Sequence, residues 1–136
     1  MKNKIQFMDL RVSNNSEKEI LCNTFQRLMS HGQYIMGQEV DNFEKIFATY
    51  CNRKYCIGVS SGTDAIFIAL KSLGIGSGDE VLTTSLSWIA TANAIAMTGA
   101  NPVFCDIDDD LNINVDSLKK MISNKTKAIL PVHYTG

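Results

Sequence analysis

A chain of 136 residues holds one domain at most. With 45% hydrophobic and 20% charged residues, it has the make-up of a soluble globular protein with enough apolar content for a core. A formal net charge of −1 gives no electrostatic reason to expect nucleic acid or an anionic membrane as a partner.

The opening residues, Met1 to Phe7, carry Lys2 and Lys4 but no continuous apolar run, so they do not read as a secretory leader. Ser16 with Glu19 predicts a capping box. Ile20, Leu21, Phe25, Leu28 and Met29 then recur at helical spacing, and Gly32 stops the run. A second helix is predicted to place Val40, Phe43, Ile46, Phe47 and Tyr50 on one face, which reads as core packing. These residues form an N-terminal helical segment, 1–54.

From Tyr55 the pattern changes to short strands alternating with helices. Tyr55–Val59 predicts a strand, and Thr63–Leu73 a helix stopped by Gly74. Glu80–Thr84 predicts a strand and Trp88–Thr98 a helix stopped by Gly99. Pro102–Cys105 is a strand, about Val115–Ile122 a helix, and Lys127–Val132 a strand. Strand–helix–strand repeats with short connections predict an α/β fold, a mostly parallel sheet flanked by helices, over 55–136. The apolar stretch Ile89–Met97 is interrupted by Thr91 and Asn93 and is too short to span a bilayer.

Ligands on parallel sheets bind beyond the carboxyl ends of the strands. Those ends are predicted at Ser60-Ser61-Gly62-Thr63, Ser85-Leu86-Ser87-Trp88, Asp106-Ile107-Asp108 and His133-Tyr134-Thr135-Gly136, sharing one rim. At the first of them, a small-residue turn opens a helix. The first helical N–H groups lack internal acceptors and sit at the positive end of the helix dipole, so a phosphate docks there favourably. Gly62 lets an anion approach the backbone, and Ser61 and Thr63 add hydroxyl donors. Taken alone, the same residues also make an ordinary helix cap. Trp88, the single tryptophan, either stacks on a planar ligand at the rim or packs against its neighbours. His133 either touches a ligand or is a satisfied structural histidine.

Other features read as local structure. Gly74-Ile75-Gly76-Ser77-Gly78 follows a helix and precedes a strand, the wrong order for a dinucleotide fingerprint, and reads as a connecting turn. Asp106, Asp108, Asp109 and Asp110 lack the glycine and terminal glutamate of a calcium loop and read as a solvated turn. Cys22, Cys51, Cys56 and Cys105 include no C-x-x-C pair, and His31 and His133 lie far apart, so no metal site is expected. Reduced thiols and a cytoplasmic location follow, with Cys51 and Cys56 expected as small buried residues near a turn.

Several motifs occur in series: Gly32-Gln33-Tyr34-Ile35-Met36-Gly37, Ser60 to Ala65, Gly78-Asp79-Glu80-Val81, Trp88-Ile89-Ala90-Thr91-Ala92, Pro102 to Asp108, and Pro131-Val132-His133. In this order they resemble the DegT-type nucleotide-sugar aminotransferases, which have the aspartate-aminotransferase (type I) fold of pyridoxal-phosphate enzymes. The likeness covers nearly the whole chain. It implies that Ser61, Gly62, Thr63 and the Asp64 backbone hold the cofactor phosphate, and that Trp88 stacks on the pyridine ring. It implies Tyr34 and His133 at the substrate side. It also implies amino transfer from an amino acid, usually glutamate, to a keto-deoxysugar nucleotide, by a homodimer with its site at the subunit interface. Such enzymes serve polysaccharide biosynthesis.

The family's Schiff-base lysine and the acidic partner of the ring nitrogen belong to segments beyond the Pro-Val-His motif, so no catalytic lysine is expected before Gly136. The chain reads as the N-terminal part of a longer enzyme, inactive by itself and exposing apolar surfaces that the rest would cover. Two other readings stay open: a family member that uses the cofactor for sugar dehydration, with histidine in place of the lysine, and a non-catalytic module that holds a phosphate or nucleotide sugar.

Overall fold

The computed structural model describes residues 7–136. The chain separates into two compact units, Met1–Gly58 and Val59–Gly136.

In the first unit, α1 (Asn15–His31) and α2 (Gln38–Tyr50) are the regular elements. Asn14 caps α1, its side chain accepting from the Ser16 and Glu17 amides. The predicted capping box on Ser16 does not form, because the helix and its N-cap begin two residues earlier and Ser16 already lies inside the first turn. Gly32 ends α1 in the left-handed region, its N–H donating to Leu28 O at 2.8 Å. The apolar stripes of both helices are present, but they are not core. Phe25, Phe43, Phe47 and Tyr50 are exposed, and Ile46 is 70% exposed. On α2, Phe43 and Phe47 stack with ring centroids 5.4 Å apart. Within this unit only Ala48 of these two helices is buried. The expected core packing of α2 therefore fails, since no described residue of this unit supplies a second apolar surface to cover it.

Tyr55–Val59 is not a strand. The run has no ladder partner among the described residues, with Tyr55 73% and Ile57 79% exposed. Strand propensity alone does not make a strand, because the backbone groups need a neighbour to bond. Cys51 is exposed and Cys56 half-buried, against the expectation that both are buried.

The second unit carries α3 (Gly62–Ser72), β1 (Glu80–Thr84), α4 (Ile89–Met97), β2 (Asn101–Cys105), α5 (Val115–Met121) and β3 (Thr126–Leu130). The strands form a parallel sheet in the order β2-β1-β3. β1 is central, and its Val81, Leu82, Thr83 and Thr84 are all buried, as a strand flanked on both edges and covered on its faces must be. Pro102 sits on the edge strand β2, where a missing N–H is tolerated. Leu70, Ile75, Val81, Ile95 and Ala100 make the core, with Ile66, Ala128 and Leu130 packed against it.

The turns that join helix to strand are specified by chemistry. Gly76 N–H donates to the Asp79 carboxylate at 2.9 Å, and Asp79 N–H to Gly76 O at 3.1 Å. Gly99 ends α4 at φ +92°, and a Cβ there would stand 3.3 Å from Ser77 N. Both its backbone angle and its close neighbour call for glycine. Among the described residues, no helix is long and apolar enough to cross a membrane.

Candidate functional site

The direction of the elements decides what meets at the rim. Leu70 at the end of α3, Val81 at the start of β1 and Ile95 near the end of α4 belong to one cluster. Lys71 Nζ donates to Thr98 O at 3.5 Å, again joining the two helix ends. Both helices therefore finish at the amino end of β1. At ~1.5 Å per residue, α3 and α4 are ~16 and ~13 Å long, about the length of β1. Their first turns accordingly reach the carboxyl rim, where β2 and β3 also end. Ser61–Asp64, Trp88, Asp106 and His133 all lie on that side of the second unit.

At the start of α3, Ser61 is the N-cap, and its Oγ accepts from Asp64 N–H at 3.1 Å. The Asp64 carboxylate accepts in turn from Ser61 Oγ at 2.9 Å and from Ser60 Oγ. The Ser60 hydroxyl first, and Ser61 second, hold the Asp64 carboxyl below the usual carboxylate range. The acid's lone pairs are thereby turned into the serine hydroxyls. Among the described residues, the amides of Gly62 and Thr63 have no acceptor and the half-buried Thr63 hydroxyl has no hydrogen-bond partner. The Asp64 amide is the exception in this turn, since the cap already uses it.

Gly62 has an ordinary backbone angle, and a Cβ there would meet nothing within 4 Å. Neither strain nor packing requires glycine at this position. Its bareness leaves two N–H groups open to an approaching anion. A phosphate fits this seat: two free amides, one free hydroxyl and the positive end of an 11-residue helix converge there.

Trp88 is the N-cap residue of α4 and is 78% exposed. Beside it is a groove of about 180 Å³ whose wall includes Thr84, Ser85, Ser87 and Phe104. Burial against neighbours, one of the two options for this tryptophan, does not occur.

The other candidates are placed more loosely. β3 ends at Leu130, two residues earlier than expected, so His133 is exposed on a loop three residues beyond the strand. Tyr34 is exposed in the Gly32–Gly37 loop of the first unit. Two carboxylates after β2 are engaged locally, Asp108 accepting from Asn114 Nδ2 and Asp110 from Asn112 N at 3.0 Å, while the Asp106 backbone N–H donates to Ser117 Oγ of α5 at 3.0 Å. Cys105 is buried, and burial first, then the Asp106 charge, pushes its thiol up. Sequence reasoning missed Ser60 as the partner of Asp64. Its only signal was a second hydroxyl four residues before an acid.

Three comparisons place this geometry among known proteins. The chain is 43% identical over 135 residues to the dTDP-3-amino-3,6-dideoxy-alpha-D-galactopyranose transaminase of Aneurinibacillus thermoaerophilus, covering 97% of this chain and 37% of that protein. Its fold superposes with a TM-score of 0.92 on DesV from S. venezuelae in complex with a ketimine intermediate, at 37% identity, covering 97% of this chain and 36% of that one. NtdA from Bacillus subtilis with bound cofactor PMP superposes with a TM-score of 0.85 at 37% identity, covering 98% of this chain and 32% of that one. The chain thus spans about a third of the length of the proteins it resembles. A family profile matches residues 15–136, most of the chain. On that match, and on relatives aligned across almost every residue, the chain belongs to the DegT/DnrJ/EryC1/StrS aminotransferase family.

Proposed function

We propose that this chain provides the phosphate seat and ring platform of a pyridoxal-phosphate-dependent sugar aminotransferase. The whole protein would move an amino group from an amino-acid donor, glutamate being usual, to a nucleotide-linked keto-sugar. The observation that carries the reading is the pair of unpartnered amides at Gly62 and Thr63, on the same rim as an uncovered Trp88. When bound, the cofactor supplies an electron sink for the electrons left as the substrate loses its α-proton.

The chain's own residues do three things for that chemistry. Gly62 N–H, Thr63 N–H and Thr63 Oγ1 bind the phosphate dianion. Asp64 keeps Ser60 and Ser61 turned inward and the cap closed. Trp88 offers an indole face to the ring, so that phosphate and ring are fixed at two points. Fixing orientation in this way is a large part of the catalytic gain. His133 and Tyr34 are assigned to the substrate side. The carboxyl-rim loops at 60–63, 85–88, 106–108 and 131–136 contain no lysine, so the Schiff-base amine comes from elsewhere in the protein. The whole protein is taken to be a homodimeric, cytoplasmic enzyme, as the sequence resemblance implies.

The test is a titration followed by Trp88 emission. Pyridoxal phosphate is expected to quench it saturably, and inorganic phosphate to compete without quenching. Equal responses to the two ligands would favour a simple phosphate-binding module instead.

A further inference from the structure

The indole of Trp88 is open to solvent, yet the backbone that carries it is pinned on both sides. Ser85 N–H donates to Cys105 O at 3.0 Å, and Leu86 N–H to Thr84 Oγ1 at 3.3 Å. Thr91 N–H donates to Trp88 O at 3.0 Å. Across the tryptophan, Ser87 Oγ and Thr91 Oγ1 lie 2.7 Å apart.

That last bond is unusual in kind. A threonine within a helix commonly turns its hydroxyl to the carbonyl four residues back. Here the residue four back is Ser87, just outside α4, and hydroxyl meets hydroxyl. Thr91 is only 7% exposed, so its oxygen has little water to turn to and needs this partner. Trp88 makes no side-chain cap bond. The serine–threonine bridge therefore spans the first turn of α4, directly around the tryptophan.

Large aromatic side chains usually bury their faces, and Trp88 does not. A rigid backbone beneath an uncovered indole is what a stacking platform requires. We propose that Ser87 and Thr91 are positioning residues: their hydroxyl bridge sets the orientation of Trp88 so that the indole meets a planar ring. The bridge stands on the geometry alone, whereas the identity of the ring rests on the function proposed above.

Trp88 is the only tryptophan, so its emission reports this site alone. The experiment compares the unaltered chain with Thr91→Val, Ser87→Ala and Thr91→Ser by time-resolved anisotropy, and then by quenching with pyridoxal phosphate. Thr91→Val and Ser87→Ala are expected to enlarge the fast local rotation of the indole. They should also raise the quenching midpoint about fivefold, the scale of one lost hydrogen bond. Thr91→Ser, which keeps the hydroxyl, should restore both readouts. Should Thr91→Val fail to fold, Ser87→Ala removes the same bridge from its half-buried end. Indole motion unchanged in the variants that lack the bridge would overturn the proposal. If the unaltered chain responds equally to pyridoxal phosphate and inorganic phosphate while Ser87→Ala still frees the indole, the cofactor reading fails and the bridge stands.

Discussion

The two units use similar apolar patterns and reach opposite ends. In Val59–Gly136, Leu70, Val81, Leu82 and Ile95 are buried around a central strand. In Met1–Gly58, Phe25, Phe43, Ile46 and Phe47 recur at helical spacing just as regularly and are exposed. Periodicity specifies which face of an element is apolar. Burial needs a second surface, which the sheet supplies in one unit and nothing described supplies in the other.

The sharpest way to break that contrast is to truncate apolar residues in each unit. Ile95→Ala or Leu82→Ala removes a fully buried side chain and is expected to cost about 2–5 kcal/mol. Ile46→Ala, at a 70% exposed position, should cost under ~0.5 kcal/mol in a monomer, as surface changes usually do. Urea unfolding of both variants measures the difference, and equal losses would mean that α2 is covered in solution.

Association tests the same contrast from the other side. The exposed helix faces and the unpaired Tyr55–Val59 run are surfaces that water tolerates poorly. Concentration-dependent self-association is expected, and Phe43→Ser with Ile46→Ser should reduce it severalfold at a given concentration. Light scattering reads this directly, and a monodisperse monomer at high concentration would refute it.

How much was legible in the sequence follows from the same physics. Each of the three strands that pair was placed within two residues, because each partner lies within this chain. Gly74, Gly99 and Gly32 marked the helix ends correctly, since a left-handed residue after a helix is a local event. Tyr55–Val59 has equally good strand residues, but strand formation depends on a neighbour that local pattern does not encode. The N-cap of α1 was misplaced because Asn14 and Ser16 are both competent caps, and only the backbone decides between them. At the site, Ser61, Gly62 and Thr63 were visible as residue types opening a helix, and Trp88 as one at a strand–helix junction, although the strand expected before Ser61 does not form. Their unpartnered amides and open indole were not, because a free donor is defined by what fails to reach it.

Within the second unit, Gly62 separates binding from stability. A Cβ at this position meets nothing, and the backbone angle is ordinary. Gly62→Val should leave the unfolding midpoint nearly unchanged, while its side chain crowds the two free amides. Affinity for pyridoxal phosphate is expected to fall about tenfold or more. A large loss of stability with unchanged affinity would assign Gly62 to the fold and remove it from the phosphate seat.

The smallest expected effect concerns acid. Asp64 titrates below the ordinary value of 3.8 because the Ser60 and Ser61 hydroxyls favour its charged form. A lowered folded-state value means that the carboxylate's contribution is complete above the ordinary value and is lost as pH falls below it. The start of α3 should therefore fray on acidification under pH 3.8, before the buried sheet responds. Hydrogen exchange at the Asp64 amide, which depends on the Ser61 cap, reports that step. Asp64→Asn should abolish the pH dependence while the cap's own bond persists. If exchange in the acid range is the same in both proteins, Ser61 closes the turn without the carboxylate. The charge beside the phosphate seat would then have to be explained by something other than the cap.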